Sequence, residues 1–223
     1  MTSINLVSPY INTEFHTRIS LLPHQMNNEI YVHLKNNLKK KVEKKCNKFG
    51  YITKLFKILD YSDGEIIPEN FDSSAIFDIK YSCRVCLPIE KSNIICKIDL
   101  QNKALIKAVN GPIISIIKMN QLNTDKFSTN NKGDIIYNKN NHVLQVDDYI
   151  VISILALNFF AGDERQIVLG NLIDMPTEEE VKKFYNENLE TEKIDEIDEF
   201  SVENSNTESE FNLSSENVTE KSY

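Results

Sequence analysis

Ile30, Leu34, Leu38, Val42 and Cys46 recur every fourth residue, and most of the chain around them runs in short strand-like stretches. Side chains four apart stack on one face of a helix, so this is the buried stripe of an amphipathic helix whose other faces carry Lys35, Lys39, Lys40, Lys41, Lys44 and Lys45. Asn47 and Gly50 then tolerate the left-handed backbone that stops a helix. Residues 10–22 alternate around Ile11, Phe15, Ile19 and Leu21, as a half-buried strand does. Further strand-like runs lie at 51–60, 75–88, 93–100, 103–109, 112–119, 135–137, 142–146, 148–160 and 165–173. The pattern predicts a strand-rich α+β protein.

The punctuation divides these runs into two blocks. Asp63-Gly64 marks a turn, and Asn110-Gly111 between two apolar runs signals a type I′ hairpin. Residues 120–134 are polar and read as a surface loop. Residues 1–86 hold a strand, the helix and about three more strands, an antiparallel sheet with one main helix. Residues 87–175 hold about five short strands with a hairpin and a long loop, which fits a small β-barrel of the OB type. Pro176 and Thr177 ahead of Glu178, Glu179 and Glu180 open a short helix over 176–187, with acids at the positive end of its dipole. Residues 188–223 are acidic and rich in Ser and Asn, too poor in apolar groups to order themselves.

Charge is distributed as unevenly as pattern. The net charge is −8, yet residues 186–223 hold twelve acidic and two basic groups, while residues 1–185 hold 23 basic and 21 acidic ones. The body is nearly neutral and the acidity belongs to the tail. No apolar run approaches a membrane span, and the N-terminus lacks a secretory pattern, so reduced thiols are expected.

Sites for chemistry are scarce. Cys83-Arg84-Val85-Cys86 has the spacing of half a zinc site, but only Cys96 and scattered histidines could complete it, and a strand turns the two thiols to opposite faces. His16, His24, His33 and His142 are dispersed. No nucleophile triad, Gly-rich phosphate loop or paired catalytic carboxylate stands out, so neither metal, cofactor nor catalysis is expected. The lysines of 35–48 read as the wet face of a helix or as a nucleic-acid patch.

Four anchors occur in order. The helix runs to a Cys ahead of Lys48-Phe49-Gly50-Tyr51-Ile52; Gly64-Glu65-Ile66-Ile67-Pro68 follows a strand ending in Asp60; Asp72-Ser73-Ser74-Ala75 leads into Phe77-Asp78-Ile79-Lys80-Tyr81; and Gly111-Pro112-Ile113 precedes Leu122. Over roughly residues 8–172 this order resembles the RNA polymerase stalk subunit, the seventh subunit of eukaryotic RNA polymerase II and its archaeal counterpart. The resemblance implies a tip domain joined to an OB barrel and an accessory, non-catalytic role. It implies docking on the polymerase core near the clamp base through Lys48, Phe49, Gly50 and Tyr51 and through the loop with Gly64, Pro68, Phe71, Ser74 and Ala75. It also implies a place beside nascent RNA. Family members usually pair with a smaller helical partner, which this sequence neither requires nor rules out.

The chain departs from the family in two places. Ser73 stands where the family has Gly, and Glu69-Asn70-Phe71 lengthens the loop before it. In the barrel, Asp99-Leu100-Gln101-Asn102-Lys103-Ala104 replaces a turn that carries an aromatic. What remains for RNA is Lys97, Lys103, Lys107 and Lys118, which fit weak, sequence-indifferent phosphate contact or a solvated face. The abundance of Asn, Ile and Lys points to an AT-rich genome. A large DNA virus transcribing in a cytoplasmic factory, with the subunit there or in the virion, is the expected source; a cellular nuclear subunit is the alternative. A stand-alone OB-fold RNA-binding factor and a viral assembly adaptor without RNA contact are the alternative functions.

Overall fold

The computed structural model describes residues 5–66, 68, 71–130 and 133–186. The acidic tail expected beyond 188 lies outside the described residues.

The N-terminal half is an antiparallel sheet with a helix on one face. Its strands are β1 (Tyr10–Leu21), β2 (Lys45–Asn47), β3 (Gly50–Tyr61), β4 (Glu65–Ile66) and β5 (Ala75–Cys86), in the order β1-β5-β3-β2 with β4 on β5. β1 pairs with β5 along its whole length, from Tyr10 opposite Cys86 to Leu21 opposite Ala75. The helix α1 (Ile30–Val42) covers one face and buries Leu34 and Leu38 against Ile19, Leu21, Ile52, Leu55, Ile79 and Tyr81. Each leucine sits where truncation to Ala costs about 2–5 kcal/mol. The opposite face carries Glu14, Arg18, Asp78 and Lys80, joined by Arg18–Asp78 and Lys80–Glu14 ion pairs at the surface. An antiparallel sheet can leave one face wet in this way.

The helical stripe stops short of its sequence expectation. α1 ends at Val42; Glu43 is extended, Lys44 is left-handed at φ 60°, and Cys46 belongs to β2. Cys46 is still buried, at 4% exposure, because another part of the chain covers it. The four-residue step therefore continues past the helix by coincidence of burial.

The second half closes on itself. β6 (Asn93–Gln101), β7 (Leu105–Asn110), β8 (Ile113–Lys118), β12 (Tyr149–Asn158) and β13 (Gln166–Asp174) form a barrel in the order β6-β7-β8-β13-β12 and back to β6. Neighbours are antiparallel except β8 and β13, which run parallel. This five-stranded Greek-key closure is that of an OB barrel. Its core is rich in Ile, with Ile94, Ile95, Ile98, Ile106, Ile113, Ile117, Ile150, Ile152 and Ile154. The β7–β8 loop is Gly111-Pro112, because Asn110 already pairs with Ile113. Gly111 is left-handed at φ 55° and Asn110 is not. That is the pattern of a type II′ turn, one residue later than the expected Asn-Gly I′ turn, which needs both central residues left-handed.

The stretch 120–134, read as a surface loop, contributes one strand to a small sheet whose other two strands fall in the strand-like runs 135–137 and 142–146. β9 (Phe127–Thr129), β10 (Ile135–Tyr137) and β11 (His142–Val143) pair in the order β11-β10-β9. Phe127, Ile135 and Tyr137 pack on the barrel core. Tyr137 donates to Asp174 at 2.7 Å, and Lys126 pairs with the same carboxylate. Burial raises the Asp174 pKa, but the hydrogen bonds from Lys126, Tyr137 and the Met175 amide outweigh it and hold the group below its ordinary value. A last helix, α2 (178–186), opens on a capping box. The Glu180 amide donates to Thr177 Oγ1 at 3.3 Å, and the Thr177 amide donates to the Glu180 carboxylate at 2.8 Å. α2 lays Val181, Phe184 and Tyr185 on the barrel.

Candidate functional site

The two sequence segments expected to dock occupy opposite ends of the N-terminal sheet. Tyr51 pairs with Cys86 and Ile66 pairs with Ala75, the two ends of β5. Eleven strand steps separate them, about 36 Å at ~3.3 Å per residue. No single contact patch can hold both.

The far end is apolar and open. Phe71 is fully exposed, and Ile66 at 58% and Tyr61 at 41% are exposed beside the same loop. Pro68 is exposed as well. Beneath them the loop is anchored: Ala75 and Ser74 are buried, and a Cβ built on Gly64 would come within 2.6 Å of the Phe77 ring, so only glycine lets the backbone lie on that ring. Ser73, in the family's glycine position, is left-handed at φ 51°. A structured base thus displays an aromatic that contributes nothing to the fold.

The near end is the junction with the barrel. Lys48 and Phe49 form the two-residue turn of the β2–β3 hairpin, whose last pair is Asn47 with Gly50. Asn47 Oδ1 accepts the Phe49 amide at 2.7 Å and shapes the turn. Gly50 is buried at φ 133°, and a Cβ there would stand 2.7 Å from the Cys86 carbonyl oxygen and 2.8 Å from Val85 Cγ1. Tyr51 packs on the barrel core, and burial pushes its phenol pKa up. The Cys46 amide donates to Asp163 O at 2.7 Å and the Gly162 amide to Cys46 O at 2.8 Å, tying β2 to the β12–β13 loop. Burial raises the Cys46 thiol to about 11, so it behaves as a packed apolar group.

Phe49 itself is half-exposed, at 49%, and its ring stacks on Phe15 with centroids 5.3 Å apart and planes within 13°. Lys48 Nζ lies 4.7 Å over the Phe49 ring. The Phe15–Phe49 pair has no sequence signal, because β1 and β3 meet only across β5.

Lys97, Lys107 and Lys118 lie on the outer side of the neighbouring strands β6, β7 and β8, diagonal to one another in register. Lys97 pairs with Asp147 at 2.8 Å, which raises its pKa, and Lys107 pairs with Asp99 at 2.6 Å. Lys103 lies in the β6–β7 turn over Gly133, and Lys118 is exposed at the end of β8. Two of the four are thus already engaged by carboxylates. Cys83 and Cys86 belong to different cores, Cys83 under α1 and Cys86 at the base of the barrel, and burial raises both thiols. Among the described residues no helix is long and apolar enough to cross a membrane.

Comparison with known proteins agrees with this geometry. Residues 17–70 match the family model described as "SHS2 domain found in N terminus of Rpb7p/Rpc25p/MJ0397". A protein of Acanthamoeba polyphaga mimivirus, provisionally named a DNA-directed RNA polymerase subunit, is 35% identical over 182 residues, covering 82% of this chain and 91% of that protein. A helix-backed N-terminal sheet, an OB-type barrel after it and a relative matched through both lead to one conclusion: the chain belongs to the Rpb7-like family of RNA polymerase stalk subunits, accessory subunits without catalytic residues of their own.

Proposed function

We propose that this subunit docks on the core of a viral multisubunit RNA polymerase near the base of the clamp, biases the clamp toward closure and holds its barrel beside the nascent RNA. Residues 1–86 act as the docking domain and 87–175 as the OB domain. The observation that carries the reading is Phe71. A fully exposed phenylalanine beside exposed Ile66 and Tyr61, on a loop anchored by Gly64, Ser74 and Ala75, is a costly surface for a free protein and a natural anchor for a partner. The Lys48–Tyr51 turn contributes differently, since Gly50 and Tyr51 are committed to the junction between sheet and barrel. The mimivirus relative supports a cytoplasmic viral factory as the setting. RNA contact through Lys97, Lys103, Lys107 and Lys118 is weak and salt-dependent, because Asp147 and Asp99 compete for two of them.

The test is recovery of the large polymerase subunits on a tagged chain. The wild type recovers them. The double variant Phe71→Ser, Ile66→Ser loses them, with about a 30-fold or greater drop in affinity for the loss of a central aromatic anchor. Both side chains face solvent, so its melting temperature stays at the wild-type value. Undiminished recovery with the double variant sinks the docking assignment, and failure of the wild type to recover any polymerase subunit sinks the stalk role.

A further inference from the structure

The Lys48–Phe49 turn borders a groove of about 530 Å³ between β1, the end of α1 and the β12–β13 loop. Its floor is aromatic, with Phe15, Phe49 and Tyr81, and its rim is cationic, with Lys41, Lys45 and Lys48. Lys41 and Lys45 donate to the backbone carbonyls of Arg18 and Lys40, and among the described residues neither is paired with a carboxylate. Glu14, the acidic residue on the lining, is engaged by Lys80 at 2.7 Å. Across the groove, Gly162 belongs to the loop that carries Phe160, which is 70% exposed. In an OB barrel the loop between the fourth and fifth strands, here the β12–β13 loop, is one of those that take oligonucleotides.

We propose that this groove binds single-stranded RNA. A base stacks on the outer face of Phe49, extending the Phe15–Phe49 stack by one layer. Lys48, which now caps that face, moves to a phosphate and joins Lys41 and Lys45 on the backbone. An ammonium and a nucleobase are both held by the face of an aromatic ring, and the groove shows the first where the second would sit. A peptide anchor would call for a deep enclosed pocket instead, whereas Phe49 is a half-exposed shelf. The proposal rests on the stalk reading and moves the RNA contact from the barrel lysines to the junction. It supplies the aromatic platform that the β6–β7 turn lacks.

The experiment is fluorescence anisotropy of the full chain with a labelled oligouridylate of about 12 nucleotides, within the ~4–16 nucleotides an OB fold spans. Phe49→Ala weakens binding about 10-fold, and Phe49→Leu, which keeps bulk but removes the flat face, weakens it comparably. Lys45→Gln, Lys48→Gln lowers the slope of log K against log salt by about 1.4, at ~0.7 per phosphate on a single strand. Lys139→Gln, Lys182→Gln, at exposed lysines outside the groove, binds within about twofold of wild type. Thermal melts confirm that each variant is folded. Binding by both Phe49 variants within twofold of wild type, or an unchanged salt slope in the lysine pair, overturns the proposal. An acidic, Phe-containing peptide that binds through Phe49 while RNA does not would overturn it too and assign the groove to a protein partner. Recovery of the polymerase subunits is read on the wild-type chain, so failure of the RNA titrations leaves the stalk reading standing, whereas failure of the stalk reading shows in the wild-type recovery.

Discussion

Gly50→Ala is the sharpest test of how the two halves are joined. The residue is buried at φ 133°, a conformation open almost only to glycine, and an added Cβ meets the Cys86 carbonyl oxygen at 2.7 Å and Val85 Cγ1 at 2.8 Å. The valine methyl could turn aside, but the carbonyl is backbone at the end of the β3–β5 pairing and cannot move without breaking the Tyr51–Cys86 pair. Backbone strain of about 1–3 kcal/mol adds to an overpacking cost of about 1–3 kcal/mol, giving roughly 2–6 kcal/mol. At about 2–4 °C per kcal/mol for a body of this size, the melting temperature should fall by roughly 4–24 °C. Urea denaturation followed by far-UV circular dichroism measures the loss directly, and the slope with urea should stay unchanged. A Gly50→Ala protein that melts within a degree of wild type would refute the close approach of β3 to β5 here, and with it the placement of Phe49 over Phe15.

Ser73→Gly should stabilise the chain by about 0.5–1 kcal/mol, because a left-handed serine at φ 51° is strained where glycine is not, and a rise of ~1–4 °C in melting temperature would record it. The same change should leave polymerase recovery intact if the loop keeps its shape. Asp174 gives a pH signature. Its pKa is held below the ordinary value of 3.8 by Lys126 and Tyr137, so its contribution is fully present above that pH and disappears as pH falls through the lowered value. The stability gap between wild type and Asp174→Asn, measured in urea, should therefore hold well above pH 3.8 and narrow as the pH falls below it, and a constant gap would refute the arrangement.

What sequence could reveal here depended on whether the cause was local. β6, β7, β8, β12 and β13 are short apolar runs bounded by polar or turn residues, and their extents fall within about two residues of the sequence reading. The end of α1 was not legible, since Cys46 keeps the helical step while its burial comes from Asp163 and Arg165, more than a hundred residues away. β10 and β11 fall in the strand-like runs 135–137 and 142–146, whereas β9 was hidden because a strand of three residues shows no period, and Phe127 becomes core only by packing on the barrel. The lysines of 35–48 were visible as a cluster, but the aromatic shelf beside them needs β1 and β3 brought together across β5. The exposure of Phe71 was likewise invisible, because an isolated aromatic in a polar loop reads the same whether it is tucked in or displayed.

The way β5 is shared explains how a contact at Phe71 can matter at the barrel. Cys83 and Val85 pack under α1, while Cys86, the next residue, already belongs to the barrel core. β5 is therefore one uninterrupted strand whose first residue anchors the displayed loop and whose last is buried in the other lobe. β1 pairs with it over twelve residues, and β3 follows it through three register shifts that coil the strand and turn Tyr51 onto the barrel. Opening the junction would require pulling Cys86 and Tyr51 from that core and breaking the reciprocal bonds between Cys46, Gly162 and Asp163. A partner that fixes the far end of the sheet consequently fixes the direction of the groove and of the barrel behind it. Leverage of that kind needs no hinge and no catalytic group, and under the proposed docking it is what a subunit made of one helix-backed sheet and one barrel offers a polymerase.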